Sequence, residues 1–174
     1  MKIMIYGYSG SGKSTIAKII SEEYSLPILY VDKILHNENW VRKDKEESKN
    51  LMASFLKQNK NWVIDGNAVS FLFEERAQMA DKVIFMNFSR WVCYKQAKER
   101  YKKYKNTIRE SAPDGCSEKF DFSFKWWVLF EGRKAKRKAK FENLVKSHPG
   151  KIIVLKNKKD VQYFLNNMDI ILLK

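Results

Sequence analysis

The sequence predicts an α/β domain built around a parallel sheet. Short apolar runs alternate along the chain with longer stretches that carry apolar residues at helical spacing. A glycine-rich segment follows the first short run, and aspartates directly follow the second and third. A length of 174 residues with 44% hydrophobic residues suits a single domain over residues 1–174. Because ligands of such sheets bind beyond the carboxyl ends of the strands, the residues after each strand are the first candidates for a site.

Five short apolar runs are predicted to be strands. The first holds Ile3, Met4 and Ile5, and the third is Trp62-Val63-Ile64. Runs of this length and composition are typical of strands that are buried on both faces of a parallel sheet. The predicted strands are residues 2–6, 28–31, 62–64, 82–88 and 152–155.

The longer stretches between the strands are predicted to be helices. In the first of them Ile16, Ile19 and Ile20 recur at the spacing of one helix face. Similar spacing predicts helices over residues 13–24, 45–58, 71–79, 91–104 and 161–168. Residues 169–174 are predicted to form a final short strand.

The net charge of +14 leaves three interpretations open. The cations can form a solvated lysine-rich surface, bind several phosphates, or bind nucleic acid. They are scattered along the chain, with local density at residues 95–105 and 133–140. No motif that reads base edges is present, so nucleic acid stays a partner without motif support.

Cysteine spacing and hydropathy bear on the compartment. Cys93 and Cys116 lie far apart without a paired spacing, which excludes a four-cysteine zinc site and argues against a disulfide framework. No apolar run approaches the ~20 residues of a membrane helix. Residues 3–6 are too short for the apolar region of a signal peptide. We therefore expect a cytoplasmic protein without a membrane partner.

The glycine-rich segment after the first strand matches the phosphate-binding pattern G-x-x-x-x-G-K-(S/T) in full. Glycines let backbone N–H groups point at phosphate oxygens, and the following helix adds the positive end of its dipole. In this pattern Lys13 reaches the β- and γ-phosphates, and the Ser14 hydroxyl is a ligand of Mg²⁺. The sequence therefore predicts ATP and Mg²⁺ as cofactors. The predicted ATP-binding residues are Gly7, Tyr8, Ser9, Gly10, Ser11, Gly12, Lys13, Ser14 and Thr15.

Two aspartates end predicted strands near this segment. Asp65 follows the third strand, where P-loop proteins hold Mg²⁺ with an aspartate, although an aspartate that starts a turn before Gly66 is the simpler alternative. Asp32 follows the second strand and is predicted to bind an acceptor hydroxyl or act as its base. A helix N-cap is the alternative for Asp32.

The order of these motifs resembles a known family. Gly7–Thr15, Tyr30-Val31-Asp32 and Trp62–Asn67 are followed by Arg76, the run Ala80–Phe85 and the run Gly115–Lys119. Together they resemble the adenylate kinase-related proteins often labelled "DNA topology modulation protein", the FlaR-like group. The resemblance covers roughly residues 1–165, and the Asp-Gly-Asn and Gly-Cys-x-Glu-Lys elements are its more specific parts.

The resemblance implies a three-layer P-loop NTPase fold with a five-stranded parallel sheet, of the nucleoside monophosphate kinase and shikimate kinase type. It implies a helical lid inserted at about residues 105–132 that closes over ATP with arginines. The residues expected to act in catalysis are Lys13, Asp32, Arg100, Arg133 and Arg137. Those expected to contact the acceptor are Asp32, Gly66, Asn67, Arg76 and Arg109.

Arginines are preferred over the neighbouring lysines because a guanidinium matches the charge spread over a transferring phosphoryl group. The lid segment also carries an aromatic stretch, from Phe120 to Phe130, which is expected to pack a mobile lid or a small satellite core. Three departures from the family pattern argue against adenylate kinase activity itself: Ala68, the run Asn87-Phe88-Ser89 where Asp-x-Pro is usual, and Gln96.

These features favour a kinase that phosphorylates a small nucleotide-, nucleoside- or shikimate-like acceptor. A nucleotide-dependent, DNA-associated regulatory protein is the alternative that charge and resemblance leave open. A GTPase-type switch is the third, since Asn157-Lys158-Lys159-Asp160 spells N-K-x-D. The D-x-x-G element of GTPases is absent after the third strand, because Gly66 directly follows Asp65 and Ala68 stands at the position of the required glycine. In a kinase the 157–160 loop would flank the adenine.

Overall fold

Five parallel strands form one sheet in the order β2-β3-β1-β4-β5 in a computed structural model, which describes residues 1–68 and 72–173. Ile5 lies opposite Asp65 of β3 on one side and Ile84 of β4 on the other. The predicted parallel α/β architecture is confirmed. The strands are β1 (Lys2–Gly7), β2 (Ile28–Tyr30), β3 (Trp62–Asp65), β4 (Lys82–Met86) and β5 (Ile152–Leu155).

Helices cover both faces of this sheet. Five of the six residues of β1 are buried, although successive side chains point to opposite faces, so the sheet is the middle of three layers. The helices are α1 (Lys13–Glu23), α2 (Val31–Leu35), α3 (Lys45–Gln58), α4 (Phe73–Met79), α5 (Arg90–Tyr104), α6 (Phe122–Leu129), α7 (Ala135–Ser147), α8 (Lys158–Asn166) and α9 (Met168–Leu172). Among the described residues, no helix combines the length and apolarity that crossing a bilayer requires.

The C-terminal segment is helical, so the predicted strand over residues 169–174 is wrong for the part that the structure describes. Leu172 is 5% exposed, whereas Ile170 is 56% exposed. A strand would place these two side chains on the same face, and a helix does not. The apolar run is too short for its periodicity to distinguish the two structures. Lys174 lies outside the described residues.

Other boundaries differ from the prediction in smaller ways. Val31, predicted as strand, is the first residue of α2, and β4 ends at Met86. Helices α2, α6 and α7 were not predicted as separate elements. The predicted helix over residues 71–79 begins at Phe73, and Phe71 lies outside the described residues.

An aromatic cluster packs helices α4 and α7 against one face of the sheet. The rings of Tyr6 and Phe85 stack with centroids 4.6 Å apart. Phe73 of α4 and Phe141 of α7 meet the Tyr6 ring edge-on at 5.4 and 5.1 Å. The Tyr6 hydroxyl also donates a hydrogen bond to the Phe141 carbonyl (3.3 Å). This cluster fixes the position of α7, whose first turns carry Arg137.

We expect Phe141→Ala to lower the free energy of unfolding by about 3–5 kcal/mol, because it removes a fully buried ring and leaves a cavity. Phe122→Ala removes the same atoms from a side chain that is 78% exposed and should change stability by no more than about 0.5 kcal/mol. Urea denaturation of both variants measures the difference. Equal losses in the two variants would contradict the packing described for α7.

Candidate active site

The loop between β1 and α1 is shaped for an anion. Gly10 and Gly12 adopt left-handed φ values of 81° and 92°. A side chain at Gly10 would collide with the Cys93 carbonyl of α5, so the close approach of loop and helix requires glycine. The N-terminus of α1 has no side-chain cap. Its first N–H groups therefore remain open to an anion, as at other phosphate-binding helix ends.

Lys13 places its ammonium over this loop. Its Nζ donates to the Tyr8 carbonyl at 3.0 Å. Burial lowers the pKa of Lys13, and the nearby carboxylates of Asp65 and Asp32 oppose that shift. A partly desolvated ammonium gains when an anion binds beside it, because the anion replaces the lost hydration.

Ser14 and Asp65 form the second polar pair at the loop. The Ser14 hydroxyl donates to Oδ2 of Asp65 at 2.6 Å, and Asp65 is 6% exposed. Burial raises the pKa of Asp65, while Lys13 and the Ser14 hydrogen bond oppose the rise. Oδ1 of Asp65 is buried without a hydrogen-bond partner in residues 1–68 and 72–173. A buried carboxylate oxygen without a hydrogen-bond partner is available to a bound ligand.

This oxygen pair fits Mg²⁺. The ion prefers hard oxygen ligands and is held by one or two protein groups together with substrate phosphates and waters. In the described part of the chain, no group of three or more His, Cys, Asp and Glu side chains could form a metal cage. A single hydroxyl and a single carboxylate beside a phosphate cradle match the magnesium pattern.

The turn after β3 is tied to the phosphate loop. The side-chain oxygen of Asn67 accepts from the backbone N–H of Gly7 at 2.9 Å. A Cβ at Gly66, whose φ is 142°, would lie 2.6 Å from the Val31 side chain. The Gly66 N–H also donates to the Ile5 carbonyl at 3.0 Å, so Gly66 and Asn67, both predicted to contact the acceptor, hold the ends of β1 and β3 together and line a cleft.

Arg76 lies beneath this turn and not in a cleft. Its side chain is fully buried and donates to the carbonyls of Leu72 (3.1 Å), Gly66 (3.3 Å) and Asn67 (2.9 Å). Burial lowers the pKa of Arg76 to about 10. The resemblance implied that Arg76 faces the acceptor, whereas its guanidinium is satisfied by backbone oxygens below the site.

Two clefts meet at the phosphate loop, with volumes of about 650 and 770 Å³. The first, here the α2–α7 cleft, runs from the loop between helices α2 and α7. The second, the α1–α8 cleft, runs between helices α1 and α8. Both are lined by Gly10, Lys13, Ser14, Arg100 and Arg109. The phosphate loop is therefore open to ligands from two sides.

The α2–α7 cleft carries most of the predicted acceptor residues. Asp32 lies in the first turn of α2, and Asp65 closes the cleft at the sheet. Aromatic side chains of Trp40, Phe124 and Trp127 contribute apolar walls. The cationic side chains that line this cleft and not the other are Arg42, Lys134, Lys136, Arg137 and Lys140.

The α1–α8 cleft has unpartnered polar atoms of its own. The Ser11 hydroxyl and Oε1 of Gln96 are buried there without hydrogen-bond partners among the described residues. Lys158, Val161 and Gln162 of α8 line its far end. This end lies beside the 157–160 loop. Asn157 there caps α8 by accepting from the N–H groups of Lys159 (2.8 Å) and Asp160 (3.0 Å). Its N-K-x-D pattern therefore has a local structural role.

One buried carboxylate holds the two arginines that line both clefts. Glu118, whose side chain is 2% exposed, accepts from Nε of Arg100 at 2.9 Å and from Nε of Arg109. Arg109 also donates to the Ser111 hydroxyl. Burial and the nearby Arg109 lower the pKa of Arg100, and Glu118 opposes that shift. Because Glu118 binds both guanidiniums through Nε, the terminal nitrogens of Arg100 stay available to the clefts.

The other two predicted lid arginines differ in position. Arg137 lies 4.7 Å from the ring centre of Trp127 and lines the α2–α7 cleft. Arg133 lies 3.7 Å over the ring of Tyr8 and donates to the Phe88 carbonyl (2.9 Å) and the Cys93 sulfur (3.1 Å). Arg133 lines neither cleft in the described residues, so it supports the phosphate loop from behind.

The segment after α2 is joined to the segment that carries Glu118. Trp40 donates its backbone N–H to the Cys116 sulfur (3.1 Å) and its indole N–H to the Ser117 carbonyl (3.0 Å). The Cys116 thiol donates to the Asn37 carbonyl at 3.3 Å. One wall of the α2–α7 cleft is therefore connected through two residues to the carboxylate that orients Arg100 and Arg109.

The chain is similar to known proteins in structure but not in sequence. No protein family model matches the chain, and no curated protein matches it. A shikimate kinase from Bacteroides thetaiotaomicron matches with a TM-score of 0.60 at 14% identity, over 100% of this chain and 99% of that one. The chain has a P-loop kinase-like fold.

Deoxyadenosine kinase from M. mycoides is similar in fold as well. Its structure with bound dATP matches with a TM-score of 0.54 at 17% identity, over 97% of this chain and 99% of that one. Its structure with the products dCMP and dCDP matches with a TM-score of 0.53 at 19% identity, over 98% of this chain and 100% of that one. At these identities the likeness of the three structures shows the shared fold alone.

Two contributors to the site were not assigned a role from the sequence. Glu118 belongs to the Gly-Cys-x-Glu-Lys element, and its role follows only from the folded positions of Arg100 and Arg109. Trp127 donates its indole N–H to the Ser9 hydroxyl at 3.3 Å and so contacts the phosphate loop directly. The one sequence signal for Glu118 was its position as the acidic residue of the Gly-Cys-x-Glu-Lys element.

We expect Arg76→Met to lower the free energy of unfolding by about 2–4 kcal/mol, because the Gly66 and Asn67 carbonyls lose their buried donor. Arg90→Met, at an exposed position on α5, is the matched control and should leave stability nearly unchanged. Chemical denaturation measures both. Unchanged stability in Arg76→Met would show that these backbone hydrogen bonds do not support the turn.

We expect Glu118→Gln to destabilise the protein by about 3–5 kcal/mol, because two largely buried guanidiniums lose their shared counter-charge. Glu110→Gln removes a carboxylate from an exposed pair with Lys18 and should leave the unfolding midpoint unchanged. Thermal and urea unfolding of the two variants give the comparison. Equal losses of stability in the two variants would show that Glu118 is not an essential counter-charge for Arg100 and Arg109.

Proposed function

We propose that this protein is a kinase that transfers the γ-phosphoryl group of Mg-ATP to a small acceptor. The observation that carries the proposal is the meeting of two clefts at Lys13, Ser14, Arg100 and Arg109. Phosphoryl transfer needs donor and acceptor on opposite sides of one phosphorus, roughly in line. Two clefts that share only Gly10, Lys13, Ser14, Arg100 and Arg109 would let donor and acceptor reach the same phosphorus from different sides.

The α1–α8 cleft would hold ATP. Its triphosphate would lie on the loop of residues 7–15, with Lys13 at the β- and γ-phosphates. The unpartnered Ser11 hydroxyl and Gln96 oxygen lie in the same cleft. The adenine would lie near Lys158 and Val161, at the far end. Ser14 and Asp65 would hold Mg²⁺, which neutralises charge on the phosphate oxygens when bound.

The α2–α7 cleft would hold the acceptor. Asp32 would orient the acceptor hydroxyl and accept its proton as the oxygen bonds to the γ-phosphorus. The bond from this phosphorus to the β,γ-bridging oxygen breaks, and its electron pair leaves with ADP. Arg100 and Arg109, held by Glu118, would bind the charge that spreads over the transferring oxygens. The proton then passes from Asp32 to solvent.

The kinase proposal includes two further points: the protein would belong to the "DNA topology modulation protein" group, and it would act in the cytoplasm. The order of its motifs supports membership, and two free cysteines among the described residues suit a reducing compartment. The segment over residues 105–132 would act as the lid, since it contains Arg109 and Glu118 and lies between α5 and the first turn of α7.

A nucleotide-dependent, DNA-associated regulator is the second candidate, and one surface favours it. Phe122, Trp126 and Phe130 form an exposed ladder, with Trp126 and Phe130 centroids 4.5 Å apart. Arg90 lies 5.8 Å from the Phe130 ring centre. Aromatic platforms beside cations bind single-stranded nucleic acid. Binding of a single-stranded oligonucleotide that weakens steeply with salt, and is lost in Trp126→Ala, would support this role.

We expect saturating Mg-ATP to raise the melting temperature of the wild-type protein and to leave that of Lys13→Ala unchanged. Ligand at a hundredfold excess over its dissociation constant adds about 2.7 kcal/mol to stability. Lys49→Ala, exposed on α3 and outside both clefts, is the matched control and should keep the full rise. GTP serves as the competing nucleotide. The proposal fails if ATP has no effect on the wild type or the same effect on Lys13→Ala.

A further inference from the structure

Two successive residues of the phosphate loop contact the part of the chain that joins α6 to α7. The Arg133 guanidinium lies 3.7 Å over the Tyr8 ring, and the Trp127 indole N–H donates to the Ser9 hydroxyl at 3.3 Å. Arg133 also donates to the carbonyl of Val128, the residue after Trp127, at 3.3 Å. This part of the chain is therefore docked on the phosphate loop at two neighbouring positions.

The turn that follows α6 packs directly against the Trp127 indole. Gly132 is buried in this turn, and a Cβ there would lie 2.9 Å from the Trp127 carbonyl and 3.2 Å from the indole nitrogen. A side chain cannot approach a backbone carbonyl that closely, so the position requires glycine. The Trp127 ring also carries the Arg137 guanidinium, 4.7 Å from the ring centre. The indole is thus held between the turn, Ser9 and Arg137.

The hydrogen bond from Trp127 restricts the direction in which the Ser9 hydroxyl can donate. An indole nitrogen is a donor only, so the Ser9 oxygen accepts and its own hydrogen points elsewhere. In residues 1–68 and 72–173 the Ser9 hydroxyl has no other hydrogen-bond partner. Ser9 lines the α2–α7 cleft together with Lys13 and Ser14. Its hydrogen is therefore available to a phosphate oxygen that binds on the loop.

Arg137 is available to an anion as well. Within the described ranges its guanidinium makes no hydrogen bond and no ion pair, whereas the neighbouring Lys138 pairs with Glu142 at 3.6 Å. Burial lowers the pKa of Arg137, with Glu131 opposing the shift, so a bound anion would replace hydration that the guanidinium has lost. Stacking on Trp127 orients the planar group and leaves its edge N–H groups for phosphate oxygens.

Ser9, Trp127 and Arg137 lie together on the acceptor side of the phosphate loop. All three line the α2–α7 cleft, and in the part of the chain that the structure describes none of them lines the α1–α8 cleft. They also share one small cavity, so the three side chains are close neighbours. Under the proposed function ATP enters from the α1–α8 cleft, and its γ-phosphate is the one that faces the acceptor. Groups confined to the acceptor side therefore meet the γ-phosphoryl oxygens first.

We propose that Trp127 is a positioning residue for phosphoryl transfer: its indole N–H directs the Ser9 hydroxyl to the γ-phosphoryl group, and its ring holds Arg137 beside the same group. Ser9 and Arg137 contact the transferring oxygens, and Trp127 acts through them. Donors that are fixed before the reaction stabilise developing negative charge without reorganisation. The inference rests on the proposed kinase function and adds to it a set of contacts on the acceptor side of the γ-phosphoryl group.

Calorimetric titration of the full chain with two nucleotides tests this inference. In the presence of Mg²⁺, the non-hydrolysable ATP analogue AMP-PNP carries a γ-phosphoryl group and ADP does not. We expect Trp127→Leu, which loses the N–H and the ring, to weaken AMP-PNP binding at least about tenfold, the effect of losing a hydrogen bond to a charged group. ADP has no γ-phosphoryl oxygens to contact and should bind the variant and the wild type equally. Equal weakening for both nucleotides would show a structural role alone and overturn the inference.

Further variants separate the two contacts of Trp127. Trp127→Phe keeps a ring beneath Arg137 and loses the N–H, so it should weaken AMP-PNP binding less than Trp127→Leu does. Ser9→Ala should weaken AMP-PNP binding by about tenfold. Adding Trp127→Phe to Ser9→Ala should cause no further loss, because the N–H acts through Ser9. Additive losses in the double variant would show that the two side chains act independently and would contradict the proposal.

Trp91→Leu is the matched control, because Trp91 lies on α5, is 66% exposed and lines neither cleft in the described ranges. It should leave the affinities for both nucleotides unchanged. Circular dichroism checks the fold of each variant, and the Ser9→Ala and Trp127→Phe cycle decides the question if Trp127→Leu does not fold. If neither nucleotide binds to the wild type, the kinase proposal fails and the inference fails with it. If both bind and Trp127→Leu behaves like Trp91→Leu, the inference alone fails.

Discussion

Asp65 and Ser14 meet where β1 and β3 end side by side, and the site is arranged around that contact. The parallel register places Ile5 opposite Asp65, so the carboxylate emerges next to the start of the phosphate loop. Asn67 then closes the gap by accepting from Gly7, and Arg76 supports the turn from below. A shift of one residue in this register would turn Asp65 to the other face of the sheet and remove the polar pair.

The second organising contact joins the two walls of the α2–α7 cleft. Trp40 and Cys116 connect the segment after α2 to the stretch that contains Glu118, and Glu118 orients Arg100 and Arg109. Each contact in this series is a direct hydrogen bond or ion pair between buried or partly buried groups. Trp40 and the two arginines at the phosphate loop therefore belong to one continuous set of contacts.

The sequence predicted the sheet and the phosphate loop because both depend on local pattern: strand composition, helical spacing and a glycine motif. It did not predict the positions of the arginines. Arg76 and Arg133 donate to backbone carbonyls that only the folded chain brings near them, whereas Arg100 and Arg109 share Glu118. Residue type alone does not distinguish an arginine that lines a cleft from one that supports the fold. Which of them reaches a cleft is decided by long-range contacts that neither spacing nor composition encodes.

The first turn of α7 carries cations, whereas the first turns of α3 and α4 carry glutamates. Acidic residues there would strengthen the helix, yet lysines and an arginine occupy these positions. The stability of helix α7 and the positive charge of the α2–α7 cleft therefore place opposite demands on Lys136 and Arg137. Thermostabilising mutations chosen by helix rules alone would replace the cations of this turn and so remove part of the positive charge that lines the cleft.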